Sequence, residues 1–331
     1  MSNSAENGVG AAQPKWLLSD ELRAVTLSAV TSRLPTLPEP IRKRLLRYYP
    51  AFCRAGSRSI FEKATLLPPF PVPQRSRDNI YVHIVTSRRD WLMALWSCRT
   101  FLTCADAEFP VIFHDDGTLG PAEVQALQSA LPGCRVLRRE VADQIAKQRL
   151  RGYPLSLRLR DFHVLGLKLT DPWLQHDGDV LLLDSDLLFF SRPEELLSWR
   201  SSNRSANLFI ADIRSAYTLS KQEITAAFGV RVEDRINSGL LAVSRAAIDF
   251  SVIETVLSNK KIWSDSWLIE QTIYAVLLSI FGARPLSEKY LVDTSVETGI
   301  PEGASCKHYV GPIRGLMSAE GIRHLLRLEH V

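Results

Sequence analysis

The run Val180-Leu181-Leu182-Leu183-Asp184-Ser185-Asp186-Leu187-Leu188-Phe189-Phe190 decides how this chain is read. Apolar residues flank two carboxylates on both sides. In an extended chain, residues two apart point to one face, so Asp184 and Asp186 project together. Carboxylates held that close repel unless a cation sits between them or one takes a proton. Hard oxygen donors in that arrangement suit magnesium or manganese. The plainer alternative has one aspartate capping a turn and the other in water. The apolar walls on either side make an uncompensated acidic couple costly.

Outward from this run, strands alternate with helices. Tyr81–Thr86 is a β-rich apolar run ending in Ser87-Arg88-Arg89-Asp90, and a helix follows over Trp91–Thr103. A second strand covers Phe109–His114, closed by Asp115-Asp116-Gly117. Then come a helix at Pro121–Leu131, a short strand at Cys134–Leu137, and helical segments over 141–170. After the acidic strand at Val180–Leu183, the runs Asn207–Ala211 and Gly239–Val243 read as strands, with helices near 246–258 and 265–281. Strands separated by helices of this length predict an α/β fold, with a mainly parallel central sheet flanked by helices. Ligands in such sheets bind beyond the carboxyl ends of the strands, which is where this sequence places its acids. On the amino side, 1–14 is expected to be disordered and 15–78 to form a helical extension with a proline-rich strap, Leu66-Leu67-Pro68-Pro69-Phe70-Pro71-Val72-Pro73. Such a strap joins neither a helix nor a sheet interior. The main domain is expected over 79–315 and a terminal helix over 316–331.

Composition sets limits on function. Over 331 residues, 46% are hydrophobic and 23% charged, which excludes a disordered chain, a collagen-like repeat and a coiled coil. Forty basic and 36 acidic side chains leave a net charge of only +4, too mild a balance for nucleic acid as the partner. The five cysteines form no CxxC pair and read as reduced, mostly buried thiols. The polar stretch Met1–Pro14 lacks the features of a signal peptide, and no run is long enough to span a bilayer. A cytoplasmic location is expected. The segment Ile41-Arg42-Lys43-Arg44-Leu45-Leu46-Arg47-Tyr48-Tyr49 mixes cations with apolar residues. It reads either as a peripheral contact with the inner face of a membrane or as a helix docked on the main domain with its basic side in solvent.

With these residues in view, a resemblance emerges. The acidic run resembles the Asp-X-Asp motif of GT-A glycosyltransferases, and its Leu-Asp-Ser-Asp-Leu-Leu-Phe-Phe form is similar to family 8, the retaining group that includes glycogenin and bacterial galactosyltransferases. Three further segments match in order. Asn237-Ser238-Gly239-Leu240-Leu241-Ala242 resembles the family's Asn-(Ala/Ser)-Gly stretch on the acceptor and sugar side of the cleft. Glu270-Gln271 resembles its acidic-Gln pair near the transferred sugar. His308-Tyr309-Val310-Gly311-Pro312-Ile313-Arg314 resembles its His-X-X-Gly-X-X-Lys segment, with Arg314 in place of the lysine. That exchange keeps the charge and adds a fork suited to phosphate oxygens. Phe113–Leu119 also looks like a segment of bacterial transferases of this fold.

The resemblance implies a GT-A fold with an N-terminal helical extension, and Mn2+ or Mg2+ held by Asp184, Asp186 and His308. It implies that Thr86 and Ser87 hold the nucleotide, where the residues themselves read equally as a structural loop, and that Ser185, Gly311 and Arg314 meet the donor's diphosphate side. Asp115 and Asp116 would bind the nucleoside or simply form a β-turn. Lys168 would approach a phosphate or lie solvated at a helix end. Gln271, Glu270 and Asp212 would face the sugar or acceptor, while in so apolar a helix the Glu270-Gln271 pair reads equally as a buried structural hydrogen bond. The implied donor is a nucleotide-diphospho-sugar, UDP-linked by analogy, with retention of configuration and a glycan or glycolipid acceptor.

Three other readings compete. A haloacid-dehalogenase-type phosphatase shares the strand-Asp-X-Asp pattern. It wants Thr or Val two positions after the second aspartate, where this chain has Leu188, and its motif normally opens the domain. A sugar nucleotidyltransferase would show a glycine-rich basic loop after the first strand, and Ser87-Arg88-Arg89 lacks glycine. A non-catalytic sugar-nucleotide-binding relative is disfavoured because both aspartates, His308 and Arg314 are all present.

Overall fold

The computed structural model describes residues 58–201, 206–293 and 299–327. The expectations for 1–57, including the basic segment 41–49, lie outside the described residues. The first described elements are a short helix α1 (Arg58–Glu62) and the strap, which has no regular secondary structure. The strap is nonetheless tied down: Phe70 N–H donates to Ala130 O at 2.9 Å and Val72 N–H to Pro132 O at 2.8 Å.

Beyond the strap, β1 (Ile80–Thr86), α2 (Trp91–Ala105), β2 (Val111–Asp115), α3 (Pro121–Ala130) and β3 (Arg135–Leu137) follow in turn. Three helices occupy the next stretch: α4 (Arg139–Arg149), α5 (Pro154–Phe162) and α6 (Val164–Thr170). Then come β4 (Asp179–Leu183), β5 (Leu187–Phe189), α7 (Glu194–Ser201), β6 (Asn207–Ala211), α8 (Lys221–Phe228), β7 (Ile236–Val243), α9 (Phe250–Ser258) and α10 (Ile269–Phe281). The chain continues through β8 (Ala283–Pro285), β9 (Tyr290–Asp293) and β10 (Cys306–Tyr309). A π-helical turn, Met317–Ile322, leads into α11 (Arg323–Arg327).

Seven strands form the central sheet in the order β3-β2-β1-β4-β7-β6-β8. β3, β2, β1 and β4 run parallel, β7 is antiparallel to both neighbours, and β8 is parallel to β6. Every residue of β4 is buried, as both faces of a helix-covered sheet require. The connection order reverses between β1 and β4, and in open α/β sheets that crevice is where ligands bind. Val180 and Leu182 from β4 and Leu241 and Val243 from β7 pack with Ile269, Ile273, Val276 and Leu277 of α10. Each such side chain contributes about 1.5–3 kcal/mol by leaving water. No helix among the described residues is long and apolar enough to cross a membrane.

Where the sequence pattern is local, element positions match it to within a few residues. The pattern was blind to β5, β8, β9 and β10, which are strands of three or four residues. Strands that short carry too few residues for an alternation to show.

One polar feature of the core left no trace in the sequence pattern. His83 of β1 and His114 of β2, both buried, form a chain with the half-buried His176, with His83 Nδ1 2.7 Å from His114 Nε2 and His83 Nε2 2.7 Å from His176 Nε2. Gly178 N–H donates to His176 Nδ1 at 2.9 Å, which fixes every tautomer in turn for neutral rings. His176 must donate from Nε2, His83 then accepts at Nε2 and donates from Nδ1, and His114 accepts at Nε2. The chain ends on His114 Nδ1, which has no partner. Burial is the largest influence on all three rings. It holds His83 well below its usual range, with His114 and His176 adding to the effect. His114 falls to about 3, with Arg135 assisting, and His176 to about 4, against a raising influence from Asp177.

Candidate metal and sugar-nucleotide site

The site is assembled where β4 ends. Asp184 N–H continues the ladder to Gly239 O at 2.8 Å, and Ser97 of α2 donates to Asp184 O at 2.8 Å. β5 begins directly after Asp186 and pairs antiparallel with β10, so His308 stands opposite Leu187. Tyr309 N–H donates to Asp186 O at 2.9 Å. This small second sheet, β5-β10-β9, carries His308 to the acids across 122 positions of sequence.

One ligand atom each from Asp184, Asp186 and His308 lies within 4.8 Å of the others. His308 Nε2 is 3.0 Å from Asp186 Oδ1 and 3.6 Å from Asp184 Oδ2. Neighbouring ligand atoms on an octahedral ion at about 2.1 Å stand roughly 3.0 Å apart, so this spacing fits a small divalent ion. His308 Nδ1 is buried without a partner. If it carries the proton, the Nε2 lone pair faces two carboxylates, an arrangement that a cation between them would resolve. Mixed oxygen and nitrogen donors suit a first-row ion such as manganese better than magnesium, which prefers oxygen and water.

The acids are not left uncompensated by the protein itself, contrary to what the sequence pattern implied. Lys168 Nζ lies 2.7 Å from Asp184 Oδ1 and 3.6 Å from Glu270 Oε1. It is buried rather than solvated at the end of α6. Burial works against its charge, and Asp184 and Glu270 more than restore it, so its affinity for the proton is raised. Burial pushes the Glu270 carboxyl up, opposed by Lys168. Ser238 links the two, accepting from Lys168 at 3.2 Å and donating to Glu270 Oε2 at 2.8 Å.

Arg314 Nε donates to Asp186 Oδ2 at 2.7 Å, one guanidinium nitrogen donates to Ser185 Oγ at 3.1 Å, and another reaches Asp90 at 3.4 Å. Burial alone would raise the Asp186 carboxyl, but His308 and Arg314 hold it well below the usual range.

β7 aims the Asn-Ser-Gly stretch into the site through an irregularity. It pairs with β6 through 236–237 and again through 241–242, and skips the intervening residues. Bulges re-aim side chains in this way beside functional sites. Gly239 backs directly onto the imidazole of His308, and a Cβ there would clash with the ring. Asn237 Oδ1 accepts from Gly239 N–H at 2.8 Å, and its amide donates to Asp212 Oδ2 at 2.8 Å. Asp212 therefore acts on the site through Asn237. Gln271 is fixed at both ends of its amide, accepting from Ser238 N–H at 3.4 Å and donating to Ala216 O at 2.9 Å.

The remaining residues singled out in the sequence lie at the ends of β1 and β2, apart from Gly311. Thr86 is buried with its hydroxyl unpartnered. Ser87 Oγ accepts from Arg89 and Asp90 N–H, both at 3.2 Å. Asp115 Oδ1 accepts from Gly117 and Leu119 N–H at 2.8 and 3.0 Å, while Oδ2 faces Arg138 at 3.3 Å. Asp116 accepts from Thr118 in the same turn. Gly311 has φ +49°, the left-handed region.

A cavity of about 460 Å3 opens beside Arg314 and is lined by Arg88, Arg89, Asp90, Trp91 and Glu123. It meets the acid cluster only through Arg314. Asp90 and Arg88 were given no role from sequence, and Ser238 was named only as part of its segment. The polar run after β1 and the Asn-Ser-Gly segment were the signals that held them.

A solved glycosyltransferase shares this architecture. The galactosyltransferase LgtC, in complex with donor and acceptor sugar analogs, aligns over 75% of this chain and 95% of its own, with a TM-score of 0.50 and 15% identity. Mouse xyloside xylosyltransferase 1 aligns over 69% of this chain and 97% of its own (TM-score 0.47, 10% identity). The S. cerevisiae mannosyltransferase Ktr4p aligns over 84% and 91% (TM-score 0.42, 11% identity). The latter two likenesses are too loose to carry an argument. No family profile matches the sequence, and no curated protein sequence does. The chain has the GT-A glycosyltransferase fold. At this identity the likeness establishes the fold alone, and the chemistry has to be argued from the residues.

Proposed function

We propose that this protein is a metal-dependent glycosyltransferase that moves a sugar from a nucleotide-diphospho-sugar, UDP-linked by analogy, to a glycan or glycolipid acceptor with retention of configuration. The observation that carries the reading is the convergence of Asp184, Asp186 and His308 at the carboxyl end of β4, with Arg314 beside them. When bound, a divalent ion supplies Lewis-acid stabilisation of charge on a departing diphosphate. Asp184, Asp186 and His308 would hold it. Arg314 places a forked cation next to the same position, where it would clamp phosphate oxygens. Thr86 and Ser87, at the carboxyl end of β1, flank the crevice where the nucleoside would lie. The Lys168–Glu270–Ser238 network holds Asp184 in place. Gln271, oriented by two backbone contacts, would position the sugar. No free general base is needed for a retaining transfer of this kind, and neither Glu270 nor Asp212 stands free of partners here.

The test is nucleoside diphosphate release from a panel of UDP- and GDP-sugars with manganese, by wild type and by Asp186→Ala. Release from one donor, abolished by chelator and by the substitution, is the expected result. Absence of both release and nucleotide binding in the wild type would sink the reading.

A further inference from the structure

Among the described residues most large aromatic rings are buried, and two of the exposed ones stand close together. Phe162 is 63% exposed and Trp267 is 65% exposed. Between and beneath them lie His163 and Trp263. Trp267 meets His163 edge-on at 4.7 Å between ring centroids, and Phe162 meets Trp263 at 6.1 Å. Phe162 and His163 are themselves 6.4 Å apart, so the four rings are contiguous. Trp263 anchors the group, since its indole N–H donates to Leu257 O at 2.9 Å and Arg158 covers its ring at 4.9 Å.

Two facts separate this patch from scattered surface hydrophobics. The first is where its rings are attached. His163 immediately precedes α6, which carries Lys168 to Asp184, and Trp267 precedes α10, whose first turn carries Glu270 and Gln271. About one to one and a half helical turns, or 5–8 Å along the axis, separate each ring from those residues, so two elements bring the patch near the acid cluster. The second is its unused polar edge. The indoles of Trp96, Trp173, Trp199 and Trp263 donate within the protein, whereas those of Trp91 and Trp267 meet no acceptor among the described residues, and of these two Trp267 is the exposed one. His163 accepts at Nδ1 from Leu165 N–H at 3.3 Å, so its neutral ring carries the proton on Nε2, which likewise has no partner among the described residues. Asp265 adds an exposed acceptor two residues from Trp267, to whose backbone N–H it bonds at 3.0 Å.

Electron-rich ring faces with donors and acceptors at their margins match a pyranose, which shows a C–H face and a rim of hydroxyls. A lipid chain would call for an uninterrupted apolar surface, and this one is broken by His163, Asp265 and Arg158.

We infer that Trp267, Phe162 and His163 form the platform on which the acceptor carbohydrate lies, with one pyranose face stacked on Trp267. This rests on the sugar-transfer reading of the adjacent site. It assigns the acceptor an exposed hexopyranose rather than a peptide or an aglycone alone.

The experiment measures saturation-transfer NMR from the full chain to methyl β-galactoside, methyl β-glucoside and methyl α-mannoside, with UDP and manganese present. UDP affinity is measured in parallel by calorimetry. Wild type is expected to saturate one glycoside at its ring C–H protons. Trp267→Ala should weaken that binding at least tenfold, and Trp267→Phe should restore most of it, while UDP affinity stays within twofold in both. Glycoside binding untouched by Trp267→Ala overturns the proposal, as does the absence of any glycoside binding when UDP binds normally. Trp267-dependent attachment to phosphatidylglycerol vesicles in place of sugar, or a dimer dissolved by Trp267→Ala, overturns it in favour of a lipid surface or a second copy. Failure of the wild type to bind UDP at all would instead remove the reading of the site on which the proposal stands.

Discussion

Two polar clusters lie beside the central sheet, and they differ in kind. The histidine chain across β1 and β2 is neutral, and nearly every nitrogen in it has a partner with its tautomer dictated by the next. The acid cluster beyond β4 is charged. It presents three ligand atoms to one point, and each cluster leaves one imidazole nitrogen, His114 Nδ1 or His308 Nδ1, without a partner. Burial is common to both, so burial is not what marks a site. What distinguishes the acid cluster is a set of donor atoms turned toward a common centre. A cluster that satisfies itself stabilises the fold, whereas one whose ligand atoms converge is arranged for something else.

That contrast breaks most readily at Asp186. Asp186→Ala is expected to lower metal-dependent donor turnover by about a thousandfold. It should also abolish the rise in melting temperature that saturating manganese gives the wild type, which at a hundredfold excess over Kd corresponds to about 2.7 kcal/mol. A scan showing the same manganese shift in the variant would return the acid cluster to the same category as the histidines.

Gly239→Ala tests geometry without removing a ligand. The added methyl displaces the His308 ring, and a shift of about 1 Å at a positioned group costs about a hundredfold in rate. The expected result is a folded protein by circular dichroism with weakened manganese binding. Unchanged affinity would show that His308 is not held where the structure puts it.

Arg314→Lys keeps the charge and loses the fork. UDP affinity should fall about tenfold, the worth of roughly one charge-assisted hydrogen bond, with manganese affinity in the absence of nucleotide nearly unchanged.

The histidine chain is expected to behave in the opposite manner. His83→Phe should leave donor turnover within a fewfold of wild type and cost about 1–3 kcal/mol of stability by orphaning its neighbours. Its pH dependence follows from the lowered affinities of the three rings. Below about pH 6.5 the unfolded chain takes up protons on these histidines while the folded chain does not. Stability is therefore full above that pH and declines as pH falls toward about 4 for His176 and about 3 for His114. Denaturant titrations from pH 7.5 to 4.5 should show the decline in wild type and a shallower one in His83→Phe. Equal slopes would remove the histidines as its source.

Much of this molecule could be read along the chain. The strands over 80–86, 111–115, 179–183 and 207–211 are runs whose apolar and turn residues declare themselves locally. The Asp-X-Asp spacing states that two carboxylates share a face. Those features depend on neighbours a few residues away, and a local pattern carries that information.

What the tertiary structure alone decided is every meeting between distant residues. β5 was too short to be seen, yet its pairing with β10 is what sets His308 against Asp186 across 122 positions. The position of Lys168 on Asp184 and Glu270 depends on how α6 and α10 pack, and the aromatic patch depends on the same two helices. The histidine chain joins residues 31 and 93 positions apart, none of them notable in its own segment. Contacts of that range are set by sheet order and helix packing, which no window of sequence contains.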